Sequence, residues 1–202
     1  MKNIKSAIRF SVFIPAILFL ITISVKCQPK YGWDHDKILD LIGLKEGMKV
    51  GEAGAGDGYL TFYLSERVGK NGKVYANDIS NRALRSIRNK CETENINNIE
   101  TVMGDIDDPL FPDKSLDLVV MVHSFHDFTQ PVKWLENVKV YLKKDAKLVI
   151  IDRDSERCTI NYDMNHFYTE KHMLSLIKKG GFKLVRLDNH LPQDNIYICS
   201  TE

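Results

Sequence analysis

The sequence is poor in cysteine, and its cysteines form no metal or disulfide pattern. The 202 residues include four cysteines, with no CxxC pair and no Cys/His spacing of the kind that binds zinc. Cys27 ends an export-like segment. If Cys27 is removed or lipidated, three cysteines remain, which does not indicate a disulfide framework. No metal site is therefore predicted, and Cys91 and Cys199 are interpreted as small packing residues.

The chain also lacks an excess of positive charge. Its formal net charge is +1, and residues 1–27 carry four basic residues and no acidic one. Removing those four from the 28 basic residues leaves 24 against 27 acidic residues, a net charge of −3 for the rest. A mildly acidic domain without a basic stripe is a poor partner for a phosphate backbone, so no nucleic acid partner is predicted.

Two common nucleotide-binding motifs are absent. The dinucleotide motif G-x-G-x-x-G would need a glycine five positions after Gly54, where the chain has Tyr59. No G-x-x-x-x-G-K-[ST] sequence is present, which excludes a P-loop. There is no internal repeat, no low-complexity segment and no sign of a second folded domain.

An uncharged apolar run lies near the amino terminus. It covers residues 10–25 and follows three basic residues. At 16 residues it is short for a membrane-spanning helix and long enough for the apolar region of a secretory signal. Cys27 offers a site for lipoprotein cleavage and acylation, although the preceding Lys26 is unusual there. We predict that residues 1–27 are a signal peptide or membrane anchor, giving export or membrane association, and that 28–202 form the domain; an unprocessed segment would leave the chain cytoplasmic.

From about residue 31 the chain alternates between strand and helix patterns. Helices are predicted at 34–42, 57–68, 80–93, 131–142 and 169–179, and strands at 48–53, 73–78, 99–103, 116–122, 147–152, 182–188 and 195–200. Near-continuous apolar strands alternating with helices predict a parallel sheet covered on both faces. The last two strands have no helix between them and are expected to form a hairpin, with one strand antiparallel to the rest.

The stretch VGEAGAGDGY at 50–59 is the most informative motif. Four glycines within ten residues indicate backbone that approaches a ligand closely or adopts positive φ. The amino terminus of a helix favours a bound anion, but the carboxylates of Glu52 and Asp57 would repel one. The charge pattern therefore favours a ligand with an ammonium group or positive centre and no phosphate, such as S-adenosylmethionine.

Acids also follow the next two strands. Asp78 ends the second strand and could bind two ribose hydroxyls, or could simply be a helix-capping acid. Asp105 follows the third strand, where it could accept a hydrogen bond from an exocyclic amine while apolar neighbours sandwich the ring.

With these residues, about 33–201 of the chain resembles the class I S-adenosylmethionine-dependent methyltransferases. The similarity is greatest to the small ubiquinone/menaquinone type, in GKVYAxD, in GDxDDPxFPDxSxDLV and in HDF after the fourth strand. The resemblance implies an α/β Rossmann-like three-layer sandwich, with a mostly parallel seven-stranded sheet and an antiparallel C-terminal hairpin. The turn that precedes strand five in that family, Lys-Pro-Gly-Gly, is replaced here at 143–146 by KKDA.

The resemblance also implies which residues bind S-adenosylmethionine. The glycine loop surrounds its methionine part, the acid after strand two binds the ribose, and the acid after strand three faces the adenine amine. The implied contacts are Glu52, Gly54, Gly56, Gly58, Asp78, Ile79, Asp105, Ile106 and His123.

Catalytic candidates lie where the acceptor should approach. His123, His126 and Asp127 place imidazole and carboxylate groups together, which suits a general base, but they could equally be structural or merely line the pocket. Substrate walls are often built after strand five, where three polar loop residues are further candidates: Tyr162, His166 and Tyr168.

The predicted function is methyl transfer from S-adenosylmethionine to a small-molecule or lipid-like acceptor. The chain has neither a [DNS]-P-P-[YFW] box nor a Pro-Cys pair, which argues against enzymes that methylate DNA amines or cytosine C5. One alternative is a non-catalytic, envelope-associated protein that kept the fold, because the cofactor is made in the cytosol and the chain carries an export-like segment. The other is an NAD-dependent oxidoreductase, which the missing glycine and the terminal hairpin disfavour.

Overall fold

The computed structural model describes residues 32–112, 114–158 and 166–201. The predicted signal or anchor at 1–27 and the candidate Tyr162 lie outside these residues. Across the described part of the chain, no helix combines the length and the apolar character that crossing a membrane requires.

A seven-stranded sheet forms the middle layer, with the strand order β3-β2-β1-β4-β5-β7-β6. Its strands are β1 (Lys49–Ala53), β2 (Lys73–Asp78), β3 (Ile99–Met103), β4 (Leu116–Val122), β5 (Leu142–Arg153), β6 (Phe182–Asp188) and β7 (Asp194–Thr201). Neighbours are parallel from β3 to β5, whereas β7 is antiparallel to both β5 and β6. The predicted parallel sheet and antiparallel terminal hairpin are confirmed.

Within the described ranges, five α-helices cover the sheet: α1 (His35–Leu41), α2 (Tyr59–Val68), α3 (Asn81–Glu94), α4 (Pro131–Val138) and α5 (Glu170–Lys179). Asp34, Ser80 and Thr169 cap three of them, each accepting a side-chain hydrogen bond from the backbone N–H three residues further on. Pro131 is the first residue of α4, a position that needs no N–H donor.

The apolar strands bury side chains on both faces of the sheet, because successive residues of a strand point to opposite sides. In β4, Val119 and Met121 join one buried cluster, together with residues of α4 and α5. Leu118 and Val120 join the other, together with residues of α1 and α2. These two layers of apolar contact explain why the sequence of β4 is almost continuously hydrophobic.

Two predicted boundaries around strand five are wrong. The helix predicted at 131–142 ends at Val138, and a 3₁₀ turn at Lys139–Tyr141 follows it. Strand β5 begins at Leu142, so the expected turn at 143–146 lies inside the strand. The pairing of β4 with β5 shifts register between Leu116 and Leu118, which absorbs the extra residues as a bulge. Leu142 and Ala146 are both buried, and their packing holds this segment on the sheet.

The strand order reverses between β1 and β4, since the chain proceeds outward from β1 to β3 and then returns to the other side of β1. In open α/β sheets, ligands bind in the crevice outside the carboxyl ends of the strands at such a switch point. A ligand site is therefore expected among the residues that follow β1, β2, β3 and β4.

Candidate active site

A pocket of about 420 Å³ lies at this crevice. Its wall is made by Gly54, Asn77, Asp78, Ile79, Asp105, Ile106, His123, Ser124, Asp127, Phe128, Thr129 and Trp134. The structure thus brings together seven of the predicted site residues, which come from the ends of four strands. The other four, Glu52, Gly56, Gly58 and His126, lie close to the pocket in the chain but do not form its wall.

The glycine loop packs tightly against the end of β4. Gly54 has φ +72°, and a Cβ placed on it would lie 2.5 Å from Cβ of Ser124. Ser124 Oγ in turn donates a hydrogen bond to the Ala53 carbonyl over 3.0 Å. Gly56 also has positive φ, +56°, but a Cβ there would meet open space. Both positions need the left-handed conformation that glycine adopts at little cost, as the sequence predicted.

Asp78 joins the glycine loop to the second strand. Its Oδ2 accepts a hydrogen bond from the Gly56 N–H over 2.9 Å, and its Oδ1 accepts one from the Ser80 N–H over 2.8 Å. A carboxylate has about four lone-pair sites, so both oxygens can still accept hydrogen bonds from a ligand in the pocket. The ribose and local-structure interpretations of Asp78 are therefore compatible.

Two large apolar side chains are unusually exposed in the pocket wall. Ile79 and Ile106 are 63% and 57% exposed, and both belong to the wall of the pocket. Uncovered apolar surface in a concave site is typical of a surface that a ligand covers. Asp105 lies beside Ile106 in the same wall. This combination of apolar faces and one acceptor suits a flat heterocycle with an amino group.

Glu52 is not where a ligand-facing acid would be. It points to the same face of β1 as Val50, toward α2, and is buried at 3% exposure. Thr61 Oγ1 donates a hydrogen bond to its Oε2. Burial raises the pKa of Glu52 to about 8, more than the Thr61 hydrogen bond lowers it. At neutral pH Glu52 is therefore mostly protonated, so it contributes little of the negative charge that the sequence analysis assigned to it.

The pocket is nevertheless acidic. Asp78, Asp105 and Asp127 line its wall, and the described residues that line it include no lysine or arginine. Three carboxylates without a counter-charge in the wall favour a cationic ligand and disfavour a polyanion. Asp127 contributes to this wall the negative charge that Glu52 does not, and Asp57, the other acid on which the prediction rested, is not part of the wall.

His123 belongs to the pocket wall and is held from two sides. It directly follows β4 and has φ +48°, an uncommon conformation for a residue with a side chain. Its Nε2 donates a hydrogen bond to Oδ1 of the buried Asp194 over 2.7 Å. The edge of the His123 ring also meets Trp33, with 5.3 Å between ring centroids. The contact with Asp194 joins residues that are 71 positions apart, which no local sequence pattern could reveal.

His126 forms a second buried pair, with an acid at the end of β5. Its Nδ1 lies 2.7 Å from Oδ1 of Asp152, and its backbone N–H donates to Oδ2 of the same carboxylate over 3.0 Å. Burial lowers the pKa of His126, but the hydrogen bond and the charge of Asp152, with the charge of Asp127, raise it more. The net pKa is raised. Asp152 was missed by the sequence analysis, although an acid within an apolar strand was a usable signal.

The loop after β5 places one of its two described candidates at this site. The ring of His166 lies 4.8 Å from that of His126, between centroids. Tyr168 instead stacks on His172 and packs against the core residue Phe125. His166 is therefore close to the catalytic candidates, whereas Tyr168 is mainly a packing residue.

The fold and the pocket define the class as the α/β methyltransferase architecture, with a seven-stranded sheet and a nucleoside-sized pocket at the switch point. A family model described as a methyltransferase domain matches residues 44–190. The chain belongs to this methyltransferase family, and S-adenosylmethionine is the cofactor of the class. The comparisons give no support to the NAD-dependent alternative.

Known proteins resemble the chain in sequence and in structure. The crystal structure of a SAM dependent methyltransferase from Aquifex aeolicus has 29% identity and a TM-score of 0.78, over 83% of this chain and 89% of that one. A ubiquinone/menaquinone biosynthesis C-methyltransferase from Idiomarina loihiensis is 30% identical over 115 residues, 56% of this chain and 46% of the relative. One from a Shewanella species is 28% identical over 147 residues, 71% of this chain and 59% of the relative. The chain thus spans about half the length of these curated relatives.

Proposed function

We propose that the protein transfers the methyl group of S-adenosylmethionine to a small, quinone-like or lipid-like molecule. The observation that carries the proposal is the acidic pocket at the switch point, where Asp78, Asp105 and Asp127 line the wall and no lysine or arginine is among its described residues. Such a wall favours a sulfonium nucleoside over a phosphorylated dinucleotide. Membership of the methyltransferase family supports the same reaction.

The cofactor would extend along the carboxyl edge of the sheet. We assign its adenine to the exposed faces of Ile79 and Ile106, with the amine toward Asp105. Its ribose hydroxyls would bind Asp78, whose oxygens keep lone pairs for them. The methionine part would lie against the loop at 54–58, with the methyl group directed to the end of β4.

The acceptor would enter on the side of Asp127. Phe128 and Trp134 make this part of the wall aromatic, and His126 lies next to it. The sulfonium already activates the methyl group, so the protein mainly has to align the acceptor atom with the C–S bond. The names of the curated relatives, which refer to C-methylation in quinone biosynthesis, support an aromatic acceptor.

Binding of S-adenosylmethionine to the purified full-length protein tests the cofactor assignment. Calorimetric titration should give one site, whereas NAD should not bind. Tight binding of NAD without S-adenosylmethionine would contradict the proposal, and binding of neither would favour a non-catalytic protein that kept the fold. Incubation of metabolite and lipid extracts with methyl-labelled cofactor would then identify the acceptor by the label it acquires.

We also propose that residues 1–27 export the chain or anchor it to a membrane. Basic residues followed by a 16-residue uncharged apolar run support this assignment. Cell fractionation, with amino-terminal analysis of the mature chain, tests it. A cytosolic chain that retains all of its first 27 residues would contradict the assignment.

A further inference from the structure

Two imidazoles and a carboxylate converge beside the pocket. One ligand atom each from His126, Asp127 and His166 can be chosen so that all three lie within 4.8 Å of one another. Nε2 of His126 is 3.6 Å from Oδ2 of Asp127, and Nε2 of His166 is 3.9 Å from Oδ1 of Asp127. Ligand atoms about 2.0–2.1 Å from a tetrahedral ion are about 3.4 Å apart, so the two imidazole–carboxylate separations are close to that value. The widest separation in the set, up to 4.8 Å, has to shorten when an ion binds.

The hydrogen bond from His126 to Asp152 is the second observation that points to a metal ion. A metal-binding histidine usually donates its other ring N–H to a carboxylate, which fixes the tautomer and the ring orientation. Here Nδ1 of His126 is bound to Asp152, a residue with 1% exposure, and the remaining Nε2 is the atom that faces Asp127. The buried pair thus directs the free electron pair of His126 toward the other two ligands.

We propose that His126, Asp127 and His166 bind one divalent transition-metal ion, of which Zn²⁺ is the representative. Imidazole ligands favour zinc, iron, nickel or copper over magnesium and calcium, which prefer sets of oxygen ligands. Three protein ligands leave at least one coordination position open, and Asp127 also lines the pocket. The ion would therefore lie at the acceptor side of the pocket.

Exposure and charge agree with this assignment. The side chain of His126 is 7% exposed, whereas those of Asp127 and His166 are 66% and 40% exposed. One ligand is therefore held rigidly, and two can adjust by the few tenths of an ångström that coordination needs. Asp127 and Asp152 supply two negative charges, against the one positive charge of Arg153, whose guanidinium packs over the Phe167 ring.

The metal site does not depend on methyl transfer, and no local spacing predicts it, because His126 and His166 are 40 residues apart in the chain. Its test uses full-length protein purified without a histidine tag and titrated with Co²⁺, which gives visible d–d absorption when bound in such a site. We expect one equivalent to bind, and Zn²⁺ to displace it.

Variants locate the ion. His166→Ala should weaken Co²⁺ binding at least tenfold, and Asp152→Asn should weaken it by about 10–100-fold through loss of the supporting hydrogen bond. His190→Ala is the control, because His190 is also exposed and paired with an aspartate but lies at the turn between β6 and β7. Circular dichroism would verify that each variant is folded.

Two results would overturn the proposal: no Co²⁺ binding by the wild-type protein, or equal binding by His166→Ala and His190→Ala. Titration of S-adenosylmethionine in parallel separates this outcome from that of the proposed function. Metal binding without cofactor binding would support the ion site and contradict the methyltransferase proposal. Cofactor binding without metal binding would support the methyltransferase proposal and contradict the ion site.

Discussion

Asp78 is the residue through which the strand end, the glycine loop and the proposed ribose site are linked. We expect Asp78→Ala to lower the affinity for S-adenosylmethionine by about 10–100-fold, because charge-assisted hydrogen bonds to the ligand and the support of Gly56 are both lost. Calorimetric titration measures the change. Asp145→Ala removes an exposed acid of β5 far from the pocket, and this variant should bind S-adenosylmethionine with the affinity of the wild type. Equal affinities of the two variants would show that the ribose lies elsewhere.

Glu52 makes the stability of the protein depend on pH. Its folded-state pKa of about 8 exceeds the ordinary value of 4.5, so the folded protein keeps a proton that the unfolded chain releases between these values. Its contribution to the free energy of unfolding is therefore largest below pH 4.5, falls as the pH rises toward 8, and is lost above that value. Glu52→Gln removes this titration.

Urea unfolding at pH 5 and pH 8 measures the effect of Glu52. The stability of Glu52→Gln relative to wild type should rise between these values by an amount on the order of 1–4 kcal/mol. Glu136→Gln, at a half-exposed position on α4, should show no such change. A constant difference between Glu52→Gln and wild type would mean that Glu52 is ionised in the folded state.

At the residue scale, the sequence located most of the pocket wall but not the partners of the histidines. Asp78, Asp105 and His123 could be found because each lies at or just after the carboxyl end of a recognisable strand. The orientation of Glu52 could not be predicted. Both faces of β1 are covered, and the sequence of the strand alone does not say which face meets α2. Asp194 could not be found either, because its contact with His123 depends on the docking of the terminal hairpin.

At the scale of elements, the glycine loop holds the pocket against the end of β4. We expect Gly54→Ala to destabilise the protein by about 1–3 kcal/mol and to weaken cofactor binding, because the new Cβ would have positive φ and would lie 2.5 Å from Cβ of Ser124. Gly47→Ala is the matched control, with φ +82° and open space around its Cβ.

The comparison of Gly54→Ala with Gly47→Ala separates crowding from backbone strain. Urea unfolding and titration of S-adenosylmethionine, applied to both variants, should show a larger loss of stability and of affinity for Gly54→Ala. If both variants lose equal stability and affinity, the contact with Ser124 has no energetic importance, and the loss comes from the left-handed backbone alone.

The strands were more predictable than the helix ends. Strands β2, β3, β4 and β6 have the predicted limits. In β2 and β4 the reason is a largely buried run of residues that ends at or just before a polar residue. The end of α4 was misplaced because residues 139–142 keep a helical apolar pattern. There Tyr141 and Leu142 satisfy the pattern by packing against the core from a 3₁₀ turn and a strand.

At the scale of the whole molecule, ligand binding should stabilise the fold. A ligand present at 100 times its dissociation constant contributes about 2.7 kcal/mol when it binds only the folded state. For a chain of 202 residues this corresponds to an increase in Tm of about 5–10 °C. Differential scanning fluorimetry with S-adenosylmethionine should show this increase, and NAD at the same concentration should not. The opposite ranking of the two ligands would contradict the electrostatic interpretation of the pocket.

The pairing of His123 with Asp194 has a consequence for biosynthesis. Asp194 begins β7 and lies 71 residues after His123, so it is synthesised later than both the glycine loop and the end of β4. A chain that stops before β7 therefore has the loop without the acid that holds His123. We expect such incomplete products not to bind S-adenosylmethionine, so they would not sequester the metabolite.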